Sequence, residues 1–214
     1  MARLLALAIG YVCGNFLAAM VVGKILLQRD LTKYGSGNPG TANMGAVFGK
    51  KYGILTASGD LLKTAVALLV VALWLPAKVD LAYAGLGLIL GHCFPVWNHF
   101  RGGKGVAVAA LVSVAYNWQA GFSTLLVALV LTAAMQNLTI PPLVFMLLFS
   151  CYVTTQAQEA GIVFLIMTLV MAWQFRKDIV DFFAGRGKKV DILYTIKKKL
   201  GIKVDWEKSK FSKD

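Results

Sequence analysis

A glycine-rich segment, KYGSGNPGTAN at residues 33–43, lies between two long apolar stretches and contains residues suited to holding an anion. Glycine allows a left-handed backbone and close approach of a ligand, while serine and asparagine side chains offer hydrogen bonds. Free backbone N–H groups in such a loop form an anion-binding concavity. The candidate phosphate-binding residues are Gly35, Ser36, Gly37, Asn38, Gly40 and Asn43. An ordinary tight loop between helices is the alternative.

A second segment, GHCFPVWNHFRGGKGVA at residues 91–107, places glycines around a lysine immediately before an apolar stretch. Backbone donors and a cation at the amino end of a helix form a binding site for phosphate or another anion. The spacing differs from that of the Walker P-loop. The candidate residues are Arg101, Gly102, Gly103, Lys104 and Gly105.

The two histidines of the chain both belong to the second segment. His92 is predicted at the end of an apolar helix, where a neutral imidazole could bind a ligand through a hydrogen bond or accept a proton. His99 is expected at the membrane interface or in solvent.

A third segment, FRKDIVDFFAGRGKK at residues 175–189, contributes Arg176 and Asp178 as further candidates, although by itself it resembles the positively charged flank of a membrane helix.

Asp60 and Lys63 are charged residues within a predicted apolar helix, and their i, i+3 spacing lets them pair on one face. A functional pair and a structural clamp are both compatible with this spacing.

The sequence shows no metal-ligand spacing, no catalytic pair of carboxylates and no Ser-His-Asp order. We therefore expect chemistry on phosphorylated substrates without a metal, a cofactor or a covalent intermediate.

The composition is that of a membrane protein, with 58% hydrophobic and only 15% charged residues in a chain of 214. Seven apolar runs predict an all-α, polytopic membrane protein with about seven transmembrane helices. Several are too short to cross alone, because ten residues rise only about 15 Å and the hydrocarbon core is roughly 30 Å thick. The runs are residues 4–22, 61–75, 81–90, 106–115, 120–135, 142–154 and 160–175. The first is interpreted as a retained helix, not a cleaved signal.

Lysine and arginine are concentrated in alternate connections, which predicts the orientation. Residues 24–51, 101–104 and 176–214 are rich in these cations, and the other connections are poor in them. We expect the amino terminus outside and the carboxyl terminus in the cytoplasm. The net charge of +12 is explained by this topology, so nucleic-acid binding is not expected. Residues 1–187 are predicted to form the membrane domain, and residues 188–214 a basic amphipathic tail on the anionic inner leaflet.

GSGNPGTAN and GHCFPVWNHFRGGKGVA resemble the first two signature motifs of the bacterial acyl-phosphate glycerol-3-phosphate acyltransferases. The resemblance extends over about residues 4–187, with supporting matches at Tyr11, Gly14, Asp30, Asp60 and Lys63. It implies a seven-helix, monomeric enzyme of the bacterial plasma membrane with its active site facing the cytoplasm. The implied partners are acyl phosphate, glycerol 3-phosphate and the lipid bilayer, and the implied products are lysophosphatidate and phosphate.

The resemblance implies catalytic roles for Ser36, His92 and Lys104. Lys104 and the backbone N–H groups near Gly102, Gly103 and Ser36 are suited to stabilising the developing oxyanion. Because acyl phosphate is already activated, the enzyme chiefly has to position two anions and an acyl chain. The resemblance also implies that a substrate phosphate helps to deprotonate the hydroxyl group, which would explain the absence of a protein base.

The sequence departs from the family pattern at two positions that handle phosphate. Ala46 stands where the family usually has arginine, and Asp178 where it usually has asparagine. In the third motif Arg176, Ile179 and Gly185 are retained. A carboxylate at residue 178 is expected to weaken glycerol-phosphate binding, or to serve as a general base. A paralogue that acylates another acceptor and a non-catalytic lipid-binding or partner-binding homologue are the alternatives.

Overall fold

The computed structural model describes residues 1–187, and the predicted tail at residues 188–214 lies outside them. Within the described residues the chain is helical, with short loops. The nine α-helices are α1 (Ala2–Gly14), α2 (Ala18–Val21), α3 (Thr41–Phe48), α4 (Lys50–Trp74), α5 (Lys78–Cys93), α6 (Val106–Tyr116), α7 (Trp118–Met135), α8 (Ile140–Gln156) and α9 (Gln158–Phe183). A π-helical turn, Val22–Leu26, continues α2, and 3-10 turns cover Leu31–Lys33 and Val96–Asn98.

Each of the seven predicted apolar runs is helical, but the first is interrupted after Gly14. The Asn15 side chain donates to the Tyr11 carbonyl at 2.7 Å, and Lys63 of α4 donates to the Gly14 and Phe16 carbonyls. Asparagine competes with the backbone for helical hydrogen bonds, and the lysine occupies carbonyls that the helix would otherwise use. The first apolar run is therefore a broken helix, and the backbone carbonyls at the break accept hydrogen bonds from Lys63 of α4.

Five helical stretches are long and apolar enough to cross a bilayer, and α6 and α8 are shorter apolar helices. Side chains on their outer faces are apolar and exposed, among them Leu62, Leu69 and Leu73 on α4. A bilayer would cover such a surface, and helices satisfy their backbone polar groups internally, as a membrane requires. The fold is that of an integral membrane protein.

Helix α5 lies at the centre of the bundle and packs closely on α1 through small residues. A methyl group on Gly10 or Gly14 would overlap backbone atoms of α5, and one on Gly87 or Gly91 would overlap backbone atoms of α1. These four glycines therefore allow the backbones of the two helices to approach closely. Away from α1, aromatic rings fill the core, with Phe164 of α9 packed edge-on against Phe149 of α8 at 4.8 Å between ring centroids.

The amino ends of α1 and α9 meet at one end of the bundle, where Arg3 forms an ion pair with Glu159. Tyr83 of α5 also donates to Glu159 at 3.1 Å. The second glycine segment lies at the opposite end, between α5 and α6, where the carboxyl end of α9 also lies. The candidate residues of the second and third segments therefore share one end of the bundle.

Candidate active site

The second glycine segment is fastened to the carboxyl end of α5 by backbone hydrogen bonds. The Gly102 N–H donates to the Cys93 carbonyl at 3.1 Å, and the Gly103 N–H donates to the His92 carbonyl at 3.0 Å. These two groups are therefore not free donors, which corrects the expectation that they would bind the substrate oxyanion. A helix end leaves its last carbonyls unpaired, and the loop supplies donors for them. Gly105, at φ +77, then begins α6 in a conformation that favours glycine.

Lys104 lies at the amino end of α6 and forms an ion pair with Asp178 of α9, at 2.7 Å between Nζ and Oδ2. Its ammonium also lies 4.5 Å from the centre of the Phe175 ring. The Lys104 side chain is 24% exposed and that of Asp178 is 34% exposed, so both are accessible to a ligand. Asp178 was expected either to weaken glycerol-phosphate binding or to serve as a general base, and both stay predictions. In the structure it neutralises the lysine of the second segment.

His92 is buried beneath this loop and is 4% exposed. Its Nδ1 lies 2.9 Å from the Lys63 ammonium, which is also 3.1 Å from Asp60 Oδ1. The predicted Asp60–Lys63 pair is thus present, and it includes His92. On the other side of the ring, a methyl group added to Gly103 would overlap Nε2. A direct contact between His92 and substrate stays a prediction, since the loop covers the ring.

The first glycine segment is organised by Asn43, which is 6% exposed. Its Oδ1 accepts from the Ser36 N–H at 2.9 Å, and its Nδ2 donates to the Tyr34 carbonyl at 3.2 Å. Gly35 and Gly37 adopt positive φ values of 60 and 68. The Ser36 N–H is therefore also hydrogen-bonded within the protein, and the buried Asn43 side chain holds the loop in its conformation. The Ser36 hydroxyl and the Asn38 side chain lie on the outer part of the loop, and both stay candidate ligands.

Asp30 precedes this loop and begins the 3-10 turn at Leu31–Lys33. It accepts hydrogen bonds from the Thr32 N–H at 3.1 Å and the Thr32 hydroxyl at 2.7 Å. These bonds hold the pKa of the Asp30 carboxyl below its usual value. Asp30 is therefore a charged cap of the turn.

A cavity of about 630 Å³ adjoins both glycine segments. Asp30 and Leu31, just before the first segment, line it together with Trp97 of the second segment. Lys24 and Arg29 bring positive charge to walls that are otherwise largely apolar. Its remaining lining residues are Met20, Val21, Ile25 and Gln28. The cavity could take an amphiphilic anion, and sequence reasoning missed it because its walls come from the helix break and a distant loop.

Helix α9 contributes one contact that sequence reasoning missed. The Gln174 side chain donates to the Cys93 carbonyl at 2.7 Å, beside the Gly102 bond. Arg176, by contrast, is exposed, donates to the Trp173 carbonyl at 2.8 Å and stacks on that indole ring at 4.7 Å. The contacts of Arg176 thus stay within α9, and its predicted role in phosphate binding stays a prediction.

Ala46 is exposed on α3, in the wall of a second cavity of about 330 Å³ that Lys50 also lines.

The fold and the site together define an integral membrane protein with a lysine at a helix amino end, set between a glycine loop and a carboxylate. Such an arrangement can bind and orient a phosphorylated substrate at the membrane surface. No group of three or more His, Cys, Asp or Glu side chains suited to a metal ion was found within residues 1–187.

The chain belongs to the glycerol-3-phosphate acyltransferase family, whose model matches residues 4–185. It is 68% identical over 203 residues to glycerol-3-phosphate acyltransferase 1 of Lactobacillus acidophilus, covering 95% of this chain and 99% of that protein. It is 61% identical to the protein of the same name from Lactobacillus johnsonii, covering 94% and 99% of the two chains.

Two solved structures share the fold. The crystal structure of PlsY (YgiH), an integral membrane glycerol 3-phosphate acyltransferase, in its glycerol 3-phosphate form matches with a TM-score of 0.81 at 26% identity. That match covers 92% of this chain and 99% of the other. The lysophosphatidic acid form matches with a TM-score of 0.77 at 25% identity, covering 88% and 95% of the two chains.

Proposed function

We propose that this chain transfers an acyl group from acyl phosphate to the 1-hydroxyl of glycerol 3-phosphate, giving lysophosphatidate and phosphate. The position of Lys104 carries the proposal, because its ammonium lies at the amino end of α6 and remains partly exposed. The names of the Lactobacillus relatives support glycerol 3-phosphate as the acceptor, as does the glycerol 3-phosphate form of the similar structure. They do not favour the alternatives of another acceptor or a non-catalytic homologue.

In this reaction the acceptor hydroxyl oxygen attacks the acyl carbonyl carbon, an ester bond forms, and the bond from that carbon to the phosphate oxygen breaks. The hydroxyl proton leaves with a phosphate group. Lys104 binds phosphate charge and stabilises the negative charge that develops on the carbonyl oxygen. The loops orient the two substrates, and orientation alone contributes a large part of the rate for an activated donor.

The cavity lined by Lys24, Arg29 and Trp97 suits the amphiphilic donor, since its two cations outnumber the single carboxylate of Asp30 and its apolar walls match the start of an acyl chain. Asp178 is proposed to hold Lys104 until an anionic substrate arrives. Ser36, Asn38, Arg101 and Arg176 are proposed as further ligands of substrate phosphate.

We further propose that all seven apolar runs cross or enter the bilayer of a bacterial plasma membrane, with the amino terminus outside. The glycine segments then face the cytoplasm, together with a basic tail at residues 188–214. The positive charge of the connections at residues 24–51 and 101–104 supports this orientation. A monomer is proposed, as the resemblance of the sequence motifs implies.

The test uses purified protein in lipid nanodiscs with palmitoyl phosphate and labelled glycerol 3-phosphate. We expect labelled lysophosphatidate, and a fall in kcat of roughly 100- to 1,000-fold for Lys104→Ala, because an electrostatic stabiliser of the transition state is removed. Lys177→Ala is the matched control, since Lys177 is an exposed lysine at the same end of the bundle, and its rate should match that of the wild type.

The donor is tested in the same assay by replacing palmitoyl phosphate with palmitoyl coenzyme A or with palmitoyl acyl carrier protein. Only acyl phosphate should support product formation. Wild-type product formation no greater than that of Lys104→Ala would refute the proposed function, and equal rates with a thioester would refute the proposed donor.

A further inference from the structure

Lys63 is a buried lysine that no part of the proposed chemistry uses. It lies in α4, within a candidate membrane span, and its side chain is 5% exposed. Its ammonium contacts Asp60 Oδ1 at 3.1 Å, His92 Nδ1 at 2.9 Å and the Gly14 carbonyl at 3.2 Å, and it donates to the Phe16 carbonyl. An ionisable group at such a depth is costly unless it is paired, so these contacts account for its presence.

The contact with His92 determines which ring nitrogen holds a proton. A lysine ammonium has three donors and no acceptor, and the hydrogen bonds of Lys63 go to the Gly14 carbonyl, the Phe16 carbonyl and His92 Nδ1, which therefore accepts. Asp60 Oδ1 contacts the ammonium as an ion pair and, at 3.7 Å from His92 Nδ1, lies beyond hydrogen-bond distance of the ring. In a neutral imidazole the other nitrogen then has the N–H group. Lys63 therefore selects the Nε2–H form of His92.

The Nε2 side of His92 faces the glycine loop that carries Lys104. The space that a side chain on Gly103 would need is filled by the His92 ring, and the Gly103 N–H donates to the His92 carbonyl at 3.0 Å. Lys104 is the next residue in the chain. A sequence of direct contacts thus runs from Lys63 through His92 and Gly103 to the proposed catalytic lysine.

We propose that Lys63 is a positioning residue, which fixes the tautomer and orientation of His92 and through them the position of the loop before Lys104. Asp60 balances the charge of Lys63 in the membrane. Because Lys63 also binds the carbonyls at the break after α1, it joins that break to the active site. The kinetic part of this inference rests on the proposed acyltransferase function, whereas the tautomer does not depend on it.

The first test is nitrogen-15 NMR of histidine-labelled, full-length protein in nanodiscs. The chain has only two histidines, so a His99→Gln variant assigns the His92 signals. We expect His92 to be neutral with its proton on Nε2. A proton on Nδ1 in the wild-type protein would overturn the inference, even for a preparation that forms no product.

The second test compares the double variant Asp60→Asn/Lys63→Met with the wild type, because removing both charges avoids an unpaired buried carboxylate. We expect His92 to lose its single tautomer and kcat to fall roughly 10- to 100-fold, as small misplacements of catalytic groups do. The KM for glycerol 3-phosphate should change by less than about twofold, because Lys63 touches no substrate.

Thr64→Val is the matched control. Thr64 is also buried on α4, but its hydroxyl donates to the Asp60 carbonyl within the same helix at 2.7 Å. Its kcat should match that of the wild type. A folded double variant with wild-type kcat would show that Lys63 is only a structural clamp. If the double variant does not fold, the wild-type tautomer decides the question.

Discussion

Lys104 and Asp178 form an ion pair at the proposed active site. The 2.7 Å contact means that the lysine charge is already balanced before an anionic substrate arrives. An incoming phosphate must therefore either share the Lys104 ammonium with the Asp178 carboxylate or displace the carboxylate from it. This explains how an aspartate can stand in a phosphate-handling region without abolishing binding, since its charge is directed at a cation.

The prediction is that Asp178→Asn lowers the KM for glycerol 3-phosphate about fivefold. Two unit charges about 4 Å apart interact by about 1 kcal/mol in a water-like dielectric, which suits this half-exposed pair. Steady-state kinetics with varied glycerol 3-phosphate measures the change. Asp181→Asn is the control, because Asp181 pairs with Arg186 at 3.2 Å on the same helix end and should leave the KM unchanged. A raised KM in Asp178→Asn would contradict the competition between carboxylate and substrate.

The first glycine segment depends on helix α3 for its shape, because Asn43 belongs to the first turn of that helix. Its amide reaches back to bond Ser36 and Tyr34, so the helix and the loop form one unit. The second segment is attached to α5 in a similar way, through carbonyls at the end of the helix. In both segments the hydrogen bonds of the loop stabilise the scaffold, which leaves side chains as the main candidates for substrate contact.

For Asn43→Ala we expect about fivefold faster hydrogen exchange at the Ser36 amide, since that amide loses its partner and a hydrogen bond contributes about 1 kcal/mol. The KM for substrate should rise as the loop loses order. Hydrogen exchange read by mass spectrometry or NMR measures the first effect. The Thr32 amide, held separately by Asp30, is the internal control. Unchanged exchange at Ser36 would mean that other contacts order the loop.

The arrangement of the whole bundle bears on its orientation in the membrane. Contacts among Arg3, Tyr83 and Glu159 bring residues from α1, α5 and α9 together at one end, and the Lys104–Asp178 pair lies at the other. Positive charge in the loops favours the Lys104 end as cytoplasmic.

Cysteine labelling tests this orientation in a variant whose three native cysteines are replaced by alanine. Ala77→Cys lies at the Glu159 end, and Lys51→Cys lies in the first turn of α4, within the positively charged residues 24–51; both residues are exposed. A membrane-impermeant maleimide should label Ala77→Cys in intact cells, and Lys51→Cys only after lysis. The reverse pattern would place the amino terminus in the cytoplasm.

Much of the fold follows from local sequence patterns. Apolar runs must be helical in a membrane because no water is present to satisfy an exposed backbone, and each of the seven predicted apolar runs is helical. Five helical stretches within residues 1–187 are long and apolar enough to cross a bilayer, and a crossing by all seven runs stays a prediction. The i, i+3 spacing likewise predicted the Asp60–Lys63 pair. The two glycine motifs were sufficient to indicate the family, because their residue types and order are specific.

Contacts between residues far apart in the chain were decided only by the tertiary structure. His92 meets Lys63 and Lys104 meets Asp178 across 29 and 74 positions, and no local spacing relates such pairs. The expectation of free backbone donors at Ser36, Gly102 and Gly103 was wrong for the same reason, since their acceptors belong to other elements. Sequence by itself determined the helices, the membrane environment and the family. The folded chain decided which polar groups satisfy one another and which remain available to a substrate, because burial forces each polar group to find a partner wherever the fold provides one.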